Sequence, residues 1–390
     1  MNAADNPFAP GAGTPPPELA GRSGIIQDAE VAVARARRGL GKSMLLLGLR
    51  GVGKTVLLNR IGEHARQSGV FALSLEAPEG RGLAEMLVPE LRRALLALSS
   101  SQQALAYARR GLAVLRGFAG AFKVKHGDVE VSVSAPGVAD SGNLEHDLPE
   151  MLEAVVQAAQ ADQKAVVLLI DEVQYLTADD LSALIVATHK LGQKGLPFLL
   201  VGAGLPLLAG LAGNAKSYAE RLFDFPNVGP LTETAASEAI EAPLAKAGIT
   251  IETAALRHIV RTTKGYPFFL QEWGYQAWNA ASSSPITEAD VVLAGKAAIE
   301  RLDAGFFKVR RDRLTPKELE YLNSMATLGP GPHKSSDVST SLGKTVTATG
   351  PVRDGLIKKG MIYSPQHGLI AFTVPLFDEY LRRAAELRPG

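Results

Sequence analysis

The chain has 390 residues, of which 46% are hydrophobic and 21% are charged, and its formal net charge is +1. This composition is ordinary for a globular protein, and the length predicts two or three compact units. Cysteine is absent, which excludes a disulfide framework, a thiolate nucleophile and a cysteine zinc site. The seven histidines show no spacing typical of a metal site, and the small net charge neither favours nor excludes a nucleic-acid partner.

Proline, glycine and alanine dominate residues 1–16, and this composition predicts a disordered tail. No basic residue precedes Arg22, and no apolar run long enough for a secretory signal is present. Together with the absence of cysteine, this pattern leads us to expect a cytoplasmic protein.

A Gly-Lys-Ser/Thr triplet occurs twice in residues 39–55, GLGKSMLLLGLRGVGKT. A phosphate-binding loop joins a buried strand to a helix, so that backbone N–H groups and the helix dipole face the phosphates. The second copy fits, because a short apolar run leads into GLRGVGKT (48–55) and a helical pattern follows. In the first copy Ala36 stands where the motif needs glycine, and a strand pattern follows Ser43. We therefore interpret the first copy as the beginning of the first strand.

The second copy predicts the ligands of the nucleotide phosphates. Lys54 is expected to neutralise the β- and γ-phosphates, and the Thr55 hydroxyl is expected to hold Mg²⁺. The expected nucleotide-binding residues of this loop are Gly48, Arg50, Gly51, Val52, Gly53, Lys54, Thr55 and Val56.

Two acids close a second apolar run, AVVLLIDE (165–172). Asp171 is placed to hold Mg²⁺ through water beside Thr55, and Glu172 is placed to polarise the attacking water. A second carboxylate favours hydrolysis over transfer to a small-molecule hydroxyl, because water needs a base to activate it. The alternative is that both acids simply end a strand in solvent.

Between these motifs, 117 positions separate Lys54 from Asp171, which predicts an insertion over about 83–140. Residues 83–98 and 102–119 read as helices, and FKVKHGDVEVSVS alternates around a His-Gly-Asp turn as a hairpin does. We interpret the insertion as decoration of the core rather than as a dedicated partner site. The apolar stretch 197–213 is at the short limit for a membrane span and contains Pro206, so it predicts a buried strand over 198–202, a loop and a short helix.

Residues 232–305 have a helical pattern throughout and predict a helical lid. Its aromatic cluster is interpreted as core packing rather than base stacking. The last eighty residues have the order helix, helix, proline-opened helix and two short strands, which is typical of a winged helix.

Residues 301–390 contain fourteen Lys and Arg against nine Asp and Glu, a net charge of +5. Four cations lie on or beside the third helix of this segment and are candidate DNA contacts: Lys344, Arg353, Lys358 and Lys359. Asp354 and two glycines weaken this helix as a recognition helix, and winged helices also dock proteins. DNA and protein both stay open as partners of this domain.

Four stretches together resemble the AAA+ ATPases, in the branch shared by STAND-type ATPases and archaeal origin-recognition initiators. They are LAGR (19–22), GLRGVGKTVLLN (48–59), VVLLIDEVQYL (166–176) and KGYPFFLQ (264–271). The resemblance covers about residues 17–305. It implies an α/β fold with a three-layer parallel-sheet core over 17–230 and a lid over 231–305, followed by the winged helix over 306–390. It further implies that four residues lie near the adenine: Gly21, Arg22, Gly265 and Pro267.

The sequence departs from the family at two sensor positions. Residues 201–204, which end the fourth strand, lack the polar side chain that orients the attacking water in relatives. Either slow hydrolysis or a sensor supplied by another element is therefore expected. No sensor arginine stands before Pro267, although Arg261 and Lys264 are near it. Arg221 follows the fourth strand at a distance typical of an arginine finger in the family. It is expected either to reach a γ-phosphate, in its own or a neighbouring subunit, or to be a surface arginine.

Two functions remain open from the sequence. The first is a Mg²⁺–ATP-driven switch or loader that acts on duplex DNA through the winged helix. The second is a STAND-like signalling switch with slow or no turnover, whose winged helix docks protein. Self-association fits either function, and a membrane partner is not expected.

Overall fold

The computed structural model describes residues 1–11, 14–98, 101–124 and 137–386. The chain forms two compact units, each with its own internal packing. We call Arg22–Gly48 with Lys54–Val228 the core unit, and we call Met1–Gly21, Leu49–Gly53 and Gly229–Gly390 the lid unit.

The core unit alternates strands and helices, as its apolar runs and helical patterns predict. Its helices are α1 (Ser23–Ala36), α2 (Lys54–Gln67), α3 (Leu83–Ala97), α4 (Gln102–Ala121), α5 (Leu144–Ala161), α6 (Ala178–Gln193), α7 (Leu208–Ala215) and α8 (Ala219–Leu222). Its strands are β1 (Ser43–Leu47), β2 (Phe71–Glu76), β3 (Val166–Asp171), β4 (Phe198–Gly204) and β5 (Phe223–Asp224).

The five strands form one parallel sheet in the order β2-β3-β4-β1-β5. Every residue of β3 and β4 is buried, which explains why both strands read as continuous apolar runs rather than alternating ones. Strand β4 pairs with β1 on one side and β3 on the other. Because parallel strands end at the same edge, the loops after β1, β3 and β4 emerge side by side.

Helices α3 and α4 lie between β2 and β3, close to the ranges expected for the insertion. Buried leucines of α3 pack in one hydrophobic core with α5, α6 and the strands, so this part of the insertion thickens the core. The hairpin predicted around residues 126–128 lies outside the described residues.

The lid unit is mainly helical. Its helices are α9 (Glu233–Lys246), α10 (Thr253–Thr263), α11 (Pro267–Ala280), α12 (Glu288–Leu302), α13 (Lys308–Asp312), α14 (Pro316–Thr327), α15 (Ser335–Ser341), α16 (Val346–Lys358) and α17 (Phe377–Glu386). A π-helical turn, Asp303–Phe307, joins α12 to α13. Tyr266, Phe269 and Trp273 are almost completely buried, in agreement with a packing role.

Three short strands follow α14 in the lid unit: β6 (His333–Lys334), β7 (Ile362–Tyr363) and β8 (Leu369–Phe372). They form an antiparallel sheet in the order β6-β8-β7, with α15 and α16 between β6 and β7. This arrangement is compatible with a winged helix. The predicted fold class, an α/β P-loop core with helical and small antiparallel-sheet additions, is confirmed.

The expectation of a disordered tail is wrong for residues 1–11. The Asn6 amide donates to the carbonyl of Tyr275, and the indole N–H of Trp278 donates to the carbonyl of Asn2. Phe8 is 3% exposed and lies over Gly274, where any Cβ would come within 2.6 Å of its ring. The composition masked this because one aromatic ring, one side-chain amide and one backbone carbonyl anchor a segment that is rich in proline and alanine.

Residues 197–213 form β4 and α7, as predicted from Pro206 and the short apolar run. Among the described residues, no helix combines the length and the apolar character that a membrane span needs.

Candidate functional site

The first Gly-Lys-Ser copy is part of the sheet. Strand β1 begins at Ser43, and the Ser43 hydroxyl accepts a hydrogen bond of 3.0 Å from the backbone N–H of Leu200. The Lys42 ammonium forms an ion pair with Asp224. The lysine and the serine of this copy are therefore engaged in contacts within the core unit.

The second copy connects β1 to α2, which begins at Lys54. Gly51 and Gly53 have φ values of 80° and 94°, in the left-handed region that glycine adopts without strain. Such a loop before a helix can turn consecutive backbone N–H groups toward an anion. Lys54 is 6% exposed, and Val56 follows Thr55 in the first turn of α2. Gly48 donates from its backbone N–H to the carbonyl of Gly204, at the end of the neighbouring strand β4.

Thr55 and Asp171 meet at the edge of the sheet. The Thr55 hydroxyl donates to the Asp171 carboxylate over 2.6 Å, and the second carboxylate oxygen accepts from the backbone N–H of Glu172 over 2.8 Å. Asp171 is 8% exposed at the end of the buried strand β3. A hydroxyl and a carboxylate at this distance are the oxygen ligands that Mg²⁺ uses beside phosphates, so these residues fit the ion that the sequence predicted.

Glu172 begins the turn that leaves β3. Its backbone lies in the left-handed region, with φ at 53° and ψ at 38°, an uncommon conformation for a residue with a side chain. Its carboxylate accepts a hydrogen bond from the side-chain amide of Gln174, in the 3₁₀ turn that follows. The structure therefore presents Glu172 beside the Thr55–Asp171 pair with one carboxylate oxygen held in place.

Gln174 is a functional candidate that the sequence reasoning missed. Its amide oxygen accepts from the backbone N–H of Leu205 over 3.1 Å, which ties the β3 turn to the end of β4. Two signals could have found it: its position two residues after Glu172, and the glycines at the end of β4 that leave room for a neighbouring side chain.

The tip of the phosphate-binding loop, Leu49–Gly53, packs within the lid unit. The hydroxyl of Tyr266 lies 2.5 Å from the carbonyl oxygen of Arg50 and 3.1 Å from the carbonyl oxygen of Thr373, which follows β8. The backbone N–H of Phe268 donates to the carbonyl of Gly51 over 3.3 Å. One buried hydroxyl, on the residue that precedes α11, thus contacts both the loop tip and the C-terminal domain (306–390).

Gly21 and Gly265, two of the predicted adenine neighbours, meet around Leu231 in the lid unit. A Cβ at Gly265 would lie 2.3 Å from the Leu231 carbonyl oxygen, and a Cβ at Gly21 would lie 2.6 Å from Ala235. Both glycines have positive φ and neither position has room for a side chain. Pro267 is the first residue of α11. Arg22 precedes α1 in the core unit, and burial lowers the pKa of its guanidinium.

Arg221 lies in α8, a single helical turn after α7, and its side chain is exposed. The structure therefore places it on the surface of the core unit. Its role as an arginine finger stays a prediction.

Three of the four cations predicted to contact DNA have carboxylate partners. Lys344 is paired with Glu320, Arg353 is paired with its neighbour Asp354, and Lys359 is paired with Glu318 over 2.7 Å. Glu318 also caps α14 by accepting from the backbone N–H of Thr315. Lys358 is exposed at the end of α16. A groove of about 590 Å³ beside α16 adds Lys334 and His367 to Arg353 as basic groups on one surface.

His146, Asp147 and Glu150 are brought within metal-binding distance of one another at the start of α5. The buried Asp147 carboxylate accepts from the Ser141 hydroxyl and the Gly142 N–H, and Glu150 accepts from the Ala139 N–H. These contacts fasten the loop before α5, so the group is explained as a structural cap.

Comparison with protein families gives two matches. The model described as "AAA ATPase domain" matches residues 18–201, and the model described as "Domain of unknown function (DUF8462)" matches residues 304–381. No curated protein matches the sequence.

Solved structures share the fold. The Walker-type ATPase PABY2304 of Pyrococcus abyssi aligns with a TM-score of 0.60 and 16% identity, over 93% of this chain and 96% of its own. The Aeropyrum pernix ORC2 protein, in ADPNP–ADP complexes, aligns with a TM-score of 0.53 and 16% identity, over 96% of this chain and 97% of its own. At these identities the likeness establishes the fold.

Proposed function

We propose that this protein binds Mg²⁺–ATP and hydrolyses it to gate a conformational change, because residues 18–201 match the AAA ATPase domain model and GLRGVGKT (48–55) joins β1 to α2. The observation that carries the proposal is the hydrogen bond of 2.6 Å between Thr55 and Asp171, with Glu172 next in the chain. The first turn of α2 brings the hydroxyl, and the end of β3 brings the two carboxylates, to one edge of the sheet.

Each residue has a role that follows from its chemistry. The Lys54 ammonium offsets phosphate charge, and the glycine-rich loop offers backbone N–H groups to the same oxygens. Thr55 and Asp171 hold Mg²⁺, which neutralises charge that develops on the phosphates. Glu172 orients the attacking water and accepts its proton. The base-binding roles of Gly21, Arg22, Gly265 and Pro267, and the finger role of Arg221, are part of this proposal by family resemblance.

The conformational output is proposed to run through Tyr266. Its hydroxyl has one proton and faces two carbonyl acceptors, one on the phosphate loop and one in the C-terminal domain. A shift of the loop when a phosphate binds or leaves changes how that proton is shared. The C-terminal domain therefore senses the loop through a direct contact.

The first partner that we propose for the C-terminal domain is duplex DNA, with the domain read as a winged helix. The net charge of +5 over residues 301–390 and the basic groove beside α16 support it. Of the four residues first considered, Arg353 and Lys358 are the better DNA contacts, because Arg353 lines the groove and Lys358 has no ion-pair partner among the described residues. Lys359 is held by the buried carboxylate of Glu318, which also caps a helix.

A second candidate has a specific observation in its favour. Glu318, Glu320 and Asp354 neutralise three of the four cations, so the surface around α16 carries both signs of charge. Such a mixed surface suits a protein partner better than a phosphate backbone. This candidate is a nucleotide-gated signalling switch with slow turnover.

Steady-state ATP hydrolysis with and without duplex DNA tests the proposal and separates the two candidates. The wild type is to be measured beside Lys54→Ala and Glu172→Gln. Turnover that DNA stimulates, and that both variants abolish, supports the DNA-linked ATPase. Turnover that DNA leaves unchanged supports the signalling switch. ATP binding with no turnover above the Glu172→Gln variant contradicts the hydrolysis proposal.

A further inference from the structure

The end of β4 lies beside the strand ends that lead to the candidate phosphate and Mg²⁺ ligands. This strand lies between β1, which leads into the phosphate-binding loop, and β3, which ends in Asp171. Residues 201–204 are Val, Gly, Ala and Gly, so none of them carries a polar side chain. Any polar group that acts at this point must come from another element.

Gln174 supplies that group. A Cβ built at Gly204 would lie 2.7 Å from the amide oxygen of Gln174 and 2.8 Å from Leu208. The missing side chain of Gly204 is therefore the space in which the Gln174 amide lies. Glycine at 204 and glutamine at 174 form a matched pair, because any larger residue at 204 displaces the amide.

The orientation of the amide follows from its two partners. The backbone N–H of Leu205 can only donate, so the atom of Gln174 that faces it is the carbonyl oxygen. The NH₂ group consequently faces Glu172, whose carboxylate accepts from it. The amide thus links the end of β4 to the Glu172 carboxylate in one unambiguous arrangement.

We propose that Gln174 is the positioning residue of the hydrolysis reaction, which takes over the task of the polar side chain that β4 lacks. The inference rests on the proposed function, since a water-activating role for Glu172 is its premise. Gln174 holds one carboxylate oxygen of Glu172 and fixes its position relative to the end of β4. Strand β4 in turn pairs with β1, which leads into the phosphate-binding loop. A hydrogen bond to one carboxylate oxygen limits the rotation of the carboxylate, and a general base must be held in position relative to the attacking water.

The strained backbone of Glu172 makes such a support necessary. A residue with a left-handed backbone at a strand end is held there by its surroundings, and small errors in the position of a base are costly in rate. Gln174 fastens this turn from its side chain to both β4 and the carboxylate. Loss of the amide removes this hydrogen bond from the carboxylate, while Thr55 and Asp171 keep their own contact.

The test is the turnover number of Gln174→Met, which keeps the length of the side chain and removes both hydrogen bonds. We expect turnover to fall about tenfold or more, with ATP affinity within about twofold of the wild type. The matched control is Gln157→Met. Gln157 also donates a hydrogen bond to a glutamate of the core unit, Glu153, but both residues lie in α5 and outside the candidate site. That variant should keep wild-type turnover.

A double-mutant cycle distinguishes positioning from a structural effect. If Gln174 acts through Glu172, adding Gln174→Met to Glu172→Gln should lower turnover no further. Gly204→Ala should reproduce the loss in the wild type and add little to Gln174→Met. Thermal unfolding of each variant shows whether the fold is retained. If Gln174→Met does not fold, Gln174→Ala is measured in its place.

Four results would overturn the inference. Unchanged turnover in Gln174→Met makes the amide dispensable, and raised turnover makes it a brake on Glu172. An equal loss in the Glu172→Gln background makes its effect structural. A wild type whose turnover equals that of Glu172→Gln removes the proposed function itself and this role with it, and it is recognised before any Gln174 variant is measured.

Discussion

The end of strand β3 and helix α16 both carry charged side chains that the sequence marked as functional, yet their partners differ. At β3, Asp171 and Glu172 receive hydrogen bonds from a threonine hydroxyl, a backbone N–H and a glutamine amide. At α16, Arg353 and Lys359 are matched by carboxylates of the same domain. Carboxylates that accept hydrogen bonds from uncharged donors keep their negative charge and can bind a cation. Lysine and arginine side chains that form ion pairs with carboxylates are partly neutralised.

The groups next to a charged side chain determine what it can bind, and groups that are distant in sequence are the hardest to predict. Asp171 comes from a strand and Thr55 from a helix 116 residues earlier, but each is marked by a local motif. Glu318 and Glu320, which pair with Lys359 and Lys344, lie in α14, where the capping-box spacing from Thr315 marks Glu318 as a helix cap and not as the partner of a lysine. The site at the end of β3 could therefore be predicted from the sequence, whereas the ion pairs around α16 could not.

The largest effect is expected at the phosphate-binding loop. Lys54→Ala should weaken Mg²⁺–ATP binding by about 100-fold or more, because the substitution removes the ammonium and with it charge-assisted hydrogen bonds to the phosphates worth a few kcal/mol. Lys42→Ala is the matched control from the first Gly-Lys-Ser copy and should bind as the wild type does. Titration with a fluorescent ATP analogue measures both. Equal losses would show that the two copies had been assigned wrongly.

A smaller effect is expected from the cations of α16. The double variant Arg353→Ala with Lys358→Ala should lower affinity for duplex DNA about tenfold and reduce the salt slope by about two, since each phosphate contact contributes roughly one. Lys344→Ala with Lys359→Ala removes the same charge from residues held by Glu320 and Glu318, and it should have the smaller effect on DNA. Fluorescence anisotropy across a salt series decides. No salt-dependent binding in any of the proteins favours a protein partner.

Two buried tyrosines of the lid unit provide a matched pair for stability. Tyr266→Phe removes the donor shared by Arg50 and Thr373 and should lower the free energy of unfolding by about 1–3 kcal/mol. The Tyr321 hydroxyl is buried without a hydrogen-bond partner among the described residues. Tyr321→Phe should therefore leave the unfolding free energy unchanged or raise it by about 1 kcal/mol. Urea unfolding of the two variants measures the difference, and equal losses would contradict the bridging role of Tyr266.

The smallest effect is expected from pH at the same tyrosines. Burial raises the pKa of Tyr321 to about 12 and raises that of Tyr266 as well. Unfolded tyrosines ionise near pH 10, so the unfolded chain loses protons first and the free energy of unfolding falls as pH rises from about 10 toward 12. Tyr321→Phe should make this alkaline loss shallower. An unchanged slope between pH 10 and pH 12 would contradict it.

Much of the fold and the centre of the site could be predicted because their signals are local. Continuous apolar runs mark β3 and β4 as buried parallel strands, and the motif spacing marks Lys54, Thr55 and Asp171. Phe8 and Gln174 escaped for the same physical reason. Each acts through a glycine far away in sequence, Gly274 for Phe8 and Gly204 for Gln174, and a missing side chain shows its purpose only in three dimensions.

Single-turnover hydrolysis of bound Mg²⁺–ATP by the wild type and by Glu172→Gln tests the central claim most directly. Loading is matched beforehand by measuring bound nucleotide, and Asp179→Asn, an exposed acid at the start of α6, serves as the control. The account predicts equal binding and a rate of phosphate release about 100-fold or more lower in Glu172→Gln alone. Equal rates in the wild type and Glu172→Gln would contradict the assignment of Glu172 as the base.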